Sequence, residues 1–184
     1  MKKFILFVAL VSVSVLSYGQ VKISDVKYEN NAYSQIFETS ISVADQYRNA
    51  KQWIAKTFGS YKDVVQLEDE ETHKIILKGK MALPDEHSVP GSGCMLTDKI
   101  TSSFTMTIEI KEGRFRVKIE DVSLSIIAEL SCFMADSRSD KYNMTLEEYK
   151  KWSKRESPSD FSMRMKTADL INSLIKEINT VDDF

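Results

Sequence analysis

The sequence predicts an α+β domain in which two helices cover one face of an antiparallel sheet. Apolar and polar residues alternate through most of residues 99–127, which is typical of a half-buried hairpin, and apolar stripes with helical spacing occupy residues 42–58 and 160–179. One strand precedes the first helix and two more separate that helix from the hairpin, so the predicted order is β-α-β-β-β-β-α. A chain of this length supports one hydrophobic core.

The first 19 residues have the pattern of a secretory signal peptide. Two lysines precede an apolar run at residues 4–16, and small residues at positions 17 and 19 precede a possible cleavage site after Gly19. The run is shorter than the roughly 20 residues that span a bilayer, and no later segment approaches that length. We therefore expect residues 20–184 to form a single exported domain, periplasmic or secreted, and not an integral membrane protein.

The charge balance argues against nucleic acid as a partner. The whole chain has 25 basic and 27 acidic residues, and removal of the two leader lysines changes the net charge from −2 to 23 − 27 = −4. No block of lysine and arginine is long enough to follow a phosphate backbone. We expect an envelope protein or a glycan as the partner instead.

The first strand is predicted at residues 33–41 and the first helix directly after it. Ser42 has the spacing of a helix cap, and Gly59 is typical of a helix end. Two strands follow at residues 63–68 and 74–82, joined by an acidic turn. This turn lacks the alternating ligands and central glycine of a calcium loop, so we expect no metal there.

The register of the long hairpin follows from its alternation. A Glu-Gly turn at residues 112–113 pairs residues whose numbers sum to 225, such as Ile108 with Val117. Beyond residue 119 the apolar positions change from odd to even numbers. A β-bulge near residues 120–121 explains this slip, and pairs beyond it then sum to 226.

The two cysteines lie at corresponding places beyond the open end of this hairpin. A sum of 226 sets Cys94 against Cys132, and an exported protein keeps a disulfide, so we predict a Cys94–Cys132 bond. Closing the loop of 132 − 94 + 1 = 39 residues contributes roughly 3–4 kcal/mol in the chain-entropy account. The alternative is two unpaired thiols, one of them reactive, but no basic cluster is evident to activate either.

After the hairpin, residues 133–160 are predicted to form a polar insertion of loop and one short helix at residues 146–155. Tyr149 and Trp152 lie on the apolar side of that helix. They either pack on the domain or dock another protein, because exposed aromatic residues are enriched at interfaces. The closing helix at residues 160–179 is predicted to lie across the sheet.

Residues 49–81 resemble a segment of a known family. The segment NAKQWIAKTFGSYKDVVQLEDEETHKIILKGKM, residues 49–81, combines a Trp-containing helix with V-Q-L-E-D and K-I-I-L-K-G strands. It is similar to an exported Bacteroidota family, domain of unknown function 4468, and the likeness covers about residues 33–115. The resemblance implies a TATA-binding-protein-like (TBP-like) fold, but no catalytic residue, ligand or DNA binding. Family members often have glycine where this chain has His73, which puts the conformation of that turn in question.

The polar face of the hairpin is rich in hydroxyl and charged side chains. They are Thr101, Ser103, Thr105, Thr107 and Glu109 on one strand and Arg116, Lys118 and Glu120 on the other. The predicted register sets Glu109 against Arg116. Such a face is ordinarily solvated, and the alternative is a shallow site for a glycan or a protein, with Thr105, Thr107 and Arg116 as candidates.

The sequence contains no constellation of residues typical of a catalytic motif. There are two histidines, and the sequence has no H-E-x-x-H pattern, G-x-S-x-G elbow, phosphate loop or dinucleotide fingerprint. We therefore expect no cofactor, no resident metal and no catalytic residues, in an envelope domain that binds a protein, a glycan or a small ligand. One alternative is a small hydrolase that uses carboxylates with raised pKa values in a cleft. Another is an accessory module whose last helix shields a pocket against the sheet.

Overall fold

The structure is a computed structural model that describes residues 19–83, 89–91, 94–132, 135–153 and 158–181. Apart from Gly19, the predicted signal peptide lies outside the described residues. The described elements are, in chain order, β1 (Tyr33–Glu38), α1 (Val43–Phe58), α2 (Tyr61–Val64), β2 (Val65–Asp69), β3 (Lys74–Leu83), β4 (Val89–Gly91), β5 (Cys94–Lys111), β6 (Arg114–Cys132), β7 (Ala135–Thr145), α3 (Leu146–Ser153) and α4 (Pro158–Ile178).

The strands form one antiparallel sheet built around the long β5–β6 hairpin. The strand order across its main part is β1-β6-β5-β3-β2, while β4 pairs with β5 and β7 pairs with β6. β1 pairs with the part of β6 nearest the turn and β7 with its far end. The α+β layout with an antiparallel sheet is therefore confirmed.

The predicted hairpin register is also confirmed. Ile108 pairs with Val117 and Ile100 with Ile126, so the sum of the paired numbers changes from 225 to 226 along the hairpin. The shift lies between Ser103 and Thr105 on β5. Opposite them Asp121 has a left-handed φ of 53°, as expected of an extra residue in a bulge.

The same register places Cys94 directly opposite Cys132. Cys132 is not a free thiol. The side chain of Cys94 lies outside the described residues, so the disulfide stays a prediction.

Helix α1 begins and ends where its caps predict. The Oγ of Ser42 accepts a hydrogen bond of 3.2 Å from the backbone N of Asp45, and Gly59 follows the helix with a φ of 75°. A positive φ at the end of a helix is reached without strain by glycine. Helix α1 packs on β5, α4 packs on β3, and the two helices contact each other. The Nε1 of Trp53 on α1 donates a hydrogen bond of 2.9 Å to Ser173 on α4.

The space beneath α4 is filled. Ile171, Leu174 and Ile178 on α4 have no exposed surface, and Leu77 on the facing strand has none. A cavity large enough for a water molecule would give its lining side chains accessible surface. None adjoins these residues, which argues against a ligand pocket between the last helix and the sheet. The apolar spacing of α4 includes Phe161, but this residue is half exposed, and the neighbouring Met163 is buried.

The N-terminal segment before β1 runs along α4. The side-chain amide of Asn172 accepts a hydrogen bond of 2.8 Å from the backbone N of Val21 and donates one of 3.0 Å to its carbonyl. The hydroxyl of Tyr28 lies 2.8 Å from that of Thr167. Burial raises the pKa of Tyr28, so this phenol stays protonated. The chain ahead of β1 is thus held to the helix layer by specific polar contacts.

The prediction for residues 133–160 was wrong in one respect. The short helix is present as α3, but the part before it forms the eleven-residue strand β7 and not a loop. Residues 138–143 are exposed on both faces of that strand. A segment that is exposed on both faces has no alternation of apolar and polar residues, which explains why residues 138–143 resemble a loop in sequence.

Smaller differences concern the ends of the other strands. Residues 61–64 form the helical turn α2 and not the start of the second strand. β1 ends at Glu38 and not at residue 41, and the segment between the predicted strand at residues 74–82 and the hairpin contains β4 and the start of β5. None of the helices in the described part of the chain has the length and apolar character of a membrane span.

Candidate functional site

The face of the sheet that points away from α1 and α4 is called here the open face. The register aligns its side chains in rows that cross the strands. One row crosses β2, β3, β5 and β6 and consists of Asp69, Lys74, Glu109 and Arg116, each directly opposite the next. The charges alternate in sign along this row, which we call the charged row.

Glu109 is the centre of the charged row. The Nε of Arg116 donates a hydrogen bond of 2.6 Å to Glu109 Oε2, the Nη2 of the same arginine contacts that oxygen, and the Nζ of Lys74 lies 3.6 Å from Oε1. Partial burial raises the pKa of Glu109, but the hydrogen bond and charge of Arg116, together with Lys74, outweigh it and hold the pKa below its usual range. This carboxylate is ionised and fixed in position. The predicted pairing of Glu109 with Arg116 is confirmed.

The next row differs from the prediction. It consists of Lys118, Thr107, Ile76 and Leu67. Thr107 is only 6% exposed, so its proposed role as a surface contact is wrong. Thr107 lies in the middle of the sheet between the long side chains of Lys118 and Ile76, and such side chains cover a short neighbour.

The other two surface candidates on the hairpin lie on the open face. Arg116 is exposed and Thr105 is half buried. Ser103 follows Thr105 along β5, and its hydroxyl lies 3.0 Å from that of Ser123. Two large aliphatic side chains are also exposed on this face, Ile36 at 53% and Leu67 at 46%. The open face therefore joins fixed charges to hydroxyls and a few apolar groups.

Of the two aromatic candidates on the short helix, the described one, Tyr149, does not lie on the surface. Tyr149 is buried, with 8% of its surface exposed, so its assignment as a surface residue is corrected. Leu146 on the same helix is also buried, and α3 packs against β6 and β7. The apolar side of α3 therefore faces the domain. The side chain of Trp152 lies outside the described residues.

A cluster between α1 and β2 was not predicted. Glu68 on β2 accepts hydrogen bonds from the hydroxyls of Tyr61, at 2.8 Å, and Tyr47, at 3.3 Å, and its Oε1 lies 2.5 Å from the Nζ of Lys51. The ammonium of Lys51 also lies over both rings, 5.5 Å and 5.9 Å from their centroids. The spacing of Tyr47 and Lys51, one helical turn apart, was the available signal for a shared helix face.

The electrostatics of this cluster indicate a structural role. The hydrogen bond from Lys51 lowers the pKa of Glu68, and the two phenols add to that effect against partial burial. Burial first and the charge of Glu68 second raise the pKa of Tyr47, and burial with the hydrogen bond to Glu68 raises that of Tyr61. Glu68 is thereby kept ionised, and the two phenols are kept protonated, at neutral pH. The cluster connects α1 and α2 to β2 and offers no group poised for proton transfer.

His73, at the end of the acidic turn, has a left-handed backbone. Its φ is 50°, and its ring makes an edge contact with Tyr47 at 5.4 Å between centroids. Glycine adopts such a φ without strain, whereas a residue with a Cβ does not. His73 therefore takes a conformation suited to glycine and gains a ring contact from its side chain.

The displaced carboxyl pKa values of the described residues share one direction. Among the described residues, the carboxyl groups with a displaced pKa all have it lowered, and they are Asp45, Glu68, Asp69, Glu109 and Glu148. The described side chains contain no group of three or more histidine, cysteine, aspartate or glutamate residues that could hold a metal ion. The acidic turn is instead organised locally, because Asp69 Oδ1 accepts hydrogen bonds of 3.0 and 3.1 Å from the backbone N of Glu71 and Thr72.

The sequence of the chain matches a known protein family. The family described as a domain of unknown function (DUF4468) with a TBP-like fold matches residues 33–125, which is half of the chain. The chain belongs to the DUF4468 family. The resemblance inferred from residues 49–81 is thus confirmed. No curated protein matches the chain.

Solved structures share the fold of this DUF4468 domain. A TBP-like protein from Parabacteroides distasonis has 13% sequence identity and a TM-score of 0.57, over 85% of this chain and 99% of that one. A DUF4468 family protein from Bacteroides ovatus has 14% identity and a TM-score of 0.54, over 86% and 93% of the two chains. At this identity the likeness shows the TBP-like fold alone, and neither family nor fold assigns a role to the open face of the DUF4468 domain.

Proposed function

We propose that this DUF4468 domain is an exported, non-catalytic module that binds a protein in the cell envelope through its open face. The charged row is the observation that carries the proposal. Its four side chains stand on adjacent strands of one sheet, and Arg116, Glu109 and Lys74 are held by one another. Preorganised charges of alternating sign favour a partner with a matching pattern and exclude others.

A protein fits this face better than a glycan does. The exposed large hydrophobic residues on the face are the aliphatic Ile36 and Leu67, and the described side chains on it include no exposed aromatic ring. Flat ring-shaped ligands gain most from stacking on aromatic faces. Arginine is enriched at protein interfaces, and their rims are polar, which agrees with Arg116 and the charged row on this face.

Export is part of the proposal and rests on the sequence. The leader pattern of residues 1–19 supports a periplasmic or secreted location, after cleavage near Gly19. The alignment of Cys94 with Cys132 supports it further, because a disulfide persists in an oxidising compartment.

The alternative of a carboxylate-dependent hydrolase receives less support. A general acid of that type needs a carboxyl group whose pKa is raised toward neutrality. The carboxyl pKa values displaced in the described residues are all lowered, and the two best-held carboxylates, Glu68 and Glu109, are each bound to cations. Carboxylates bound in this way fix the positions of neighbouring side chains and do not supply a proton.

Site-specific photocrosslinking tests the proposal. A photoreactive amino acid replaces Thr105 on the open face or, as the control, the exposed Lys176 on α4, and each protein is irradiated with the membrane and periplasmic fractions of the source organism. We expect protein adducts from position 105 that are absent from position 176 and weakened by Arg116→Glu. If the adducts contain glycan, the partner is a glycan and not a protein. Equal labelling from both positions, or none from position 105, would contradict a binding role for the open face.

A further inference from the structure

Two groups of opposite charge lie at the same end of the open face. The acidic corner consists of Asp69 and Glu71, at the turn between β2 and β3, and the basic corner consists of Lys111, Arg114 and Arg116, beside the turn between β5 and β6. Lys111 and Arg114 face each other across the hairpin, and both are exposed, as is Glu71. Glu70 does not belong to this corner, because it lies beside Tyr47 and Arg48 of α1 on the helix side of the sheet.

The two corners are too far apart to neutralise each other within one chain. β2 and β6 are separated by β3 and β5, and three strand spacings amount to about 14 Å. Charges on a solvated surface at that separation are largely screened, because the Debye length at physiological ionic strength is about 8 Å. Each corner is thus available to a charged partner.

We propose that the partner of the open face is a second copy of this chain, an inference that rests on the proposed function. The copies pack face to face about a two-fold axis that runs parallel to the strands, between β3 and β5. This operation sets β2 of one copy over β6 of the other and β3 over β5. The acidic corner of each copy then covers the basic corner of the other.

The charged row is self-complementary under the same operation. Asp69 comes to face Arg116 of the second copy, and Lys74 comes to face Glu109 of the second copy, so every charge in the row meets its opposite. An axis along β5 would instead set Glu109 against itself, and an axis along β3 would do the same to Lys74. The position between these strands is the one that opposes all four charges with charges of the other sign.

The remainder of the face is compatible with this arrangement. The hydroxyls of Thr105 and Ser103 on β5 come to face Lys78 and Lys80 of the second copy, because those pairs share rows in the sheet. Leu67 comes to lie over the stem of Lys118. Such an interface has an apolar patch within a polar surround and opposes no like charges.

The size of the face suits a reversible dimer. The two copies overlap over the four strands β6, β5, β3 and β2. Four strands at ordinary spacing are about 14 Å across, and nine residues of extended chain are about 30 Å long, which gives about 420 Å² per copy in projection. Standard protein interfaces bury about 800 Å² per partner. The contact is therefore expected to depend strongly on its charges.

Charge reversal tests the dimer without disturbing the core. One variant carries Lys111→Glu and Arg114→Glu, and a second carries Glu71→Lys. All three side chains are exposed, so both variants should fold, as checked by circular dichroism. The matched control for the first variant is Lys27→Glu with Lys176→Glu, which makes the same change of net charge at exposed positions outside the open face.

Sedimentation equilibrium gives the outcome. We expect the wild type and the control to dimerise with a dissociation constant that rises with salt. Each reversed variant should bind itself at least tenfold more weakly. An equimolar mixture of the two reversed variants should form a heterodimer. A wild type that stays monomeric at low salt, reversed variants that dimerise like the wild type, or a mixture that stays monomeric would overturn the inference. If it fails while position 105 still crosslinks another protein, the proposed function stands with a different partner; if both fail, neither stands.

Discussion

Glu109 on β5 and Arg116 on β6 lie directly opposite each other and are joined by a hydrogen bond of 2.6 Å from the arginine Nε to the carboxylate. The pair shows that the hairpin has the register its sequence predicts. It also places Glu109 between Lys74 and Arg116 in the charged row, in contact with both cations.

Glu109 should contribute to the pH dependence of stability. Its pKa in the folded protein is lowered from 4.5, so its contribution to the free energy of unfolding is complete above that value and is lost as the pH falls through the folded pKa. We expect Glu109→Gln to reduce the loss of stability between neutral pH and pH about 3. Urea unfolding at several pH values measures this, with Glu112→Gln in the exposed turn as the control. An unchanged acid dependence in Glu109→Gln would contradict the assignment.

The predicted disulfide has a direct chemical test. Intact-mass spectrometry of the exported protein should give a mass lower by two hydrogens than that of the reduced chain. The Cys94→Ser, Cys132→Ser double variant should lose about 3 kcal/mol of unfolding free energy under oxidising conditions, because the closed loop no longer restricts the unfolded chain. The reduced wild type is the matched control and should behave like the variant. Two free thiols in freshly isolated protein would refute the bond.

Gly79 on β3 is required by close packing. A Cβ placed on it would lie 2.4 Å from Cζ of Phe104 and 3.0 Å from Cε1 of Phe58. We expect Gly79→Ala to cost about 1–3 kcal/mol, because the ring of Phe104 must leave its position in the core. Lys80→Ala on the same strand is exposed and should change stability by less than about 0.5 kcal/mol. Thermal or urea unfolding compares the two, and equal effects would contradict the packing argument.

His73 offers a test of backbone strain. Because its φ is 50°, His73→Gly should be more stable than His73→Ala by about 1 kcal/mol, since alanine keeps the strain and both variants lose the ring contact with Tyr47. Urea unfolding of the two variants under identical conditions measures the difference. In a turn residue with negative φ the order would be reversed. Alanine being the more stable variant would therefore count against the left-handed conformation.

The sequence predicts a strand and its register where the side chains on one face of the strand are buried. The register of β5 and β6 was predictable to the residue because a change of one position would expose the apolar set that includes Phe104, Ile108 and Val117. Strand β7 was not predictable, since its exposed residues carry no period. The fold could therefore be predicted where one face of an element is covered by the helices.

The candidate site could be predicted only in part. The pairing of Glu109 with Arg116 lies within one hairpin, and its sequence specifies it. Lys74 and Asp69 join the charged row through the pairing of β3 with β5 and β2 with β3, which depends on how separate segments meet. The burial of Thr107 likewise depends on neighbours from other strands, and the burial of Tyr149 on the packing of α3.

Lysine labelling in intact cells tests the central claim most directly, that the open face is covered by a protein where the domain works. Lys78 and Lys80 are exposed on the open face, whereas Lys27 and Lys176 are exposed outside it. The extent of acylation at each lysine is measured by mass spectrometry, in cells and in dilute purified protein. We predict that Lys78 and Lys80 are protected in cells relative to the purified protein, while Lys27 and Lys176 are labelled equally in both. Equal labelling of all four lysines in the two samples would contradict the account.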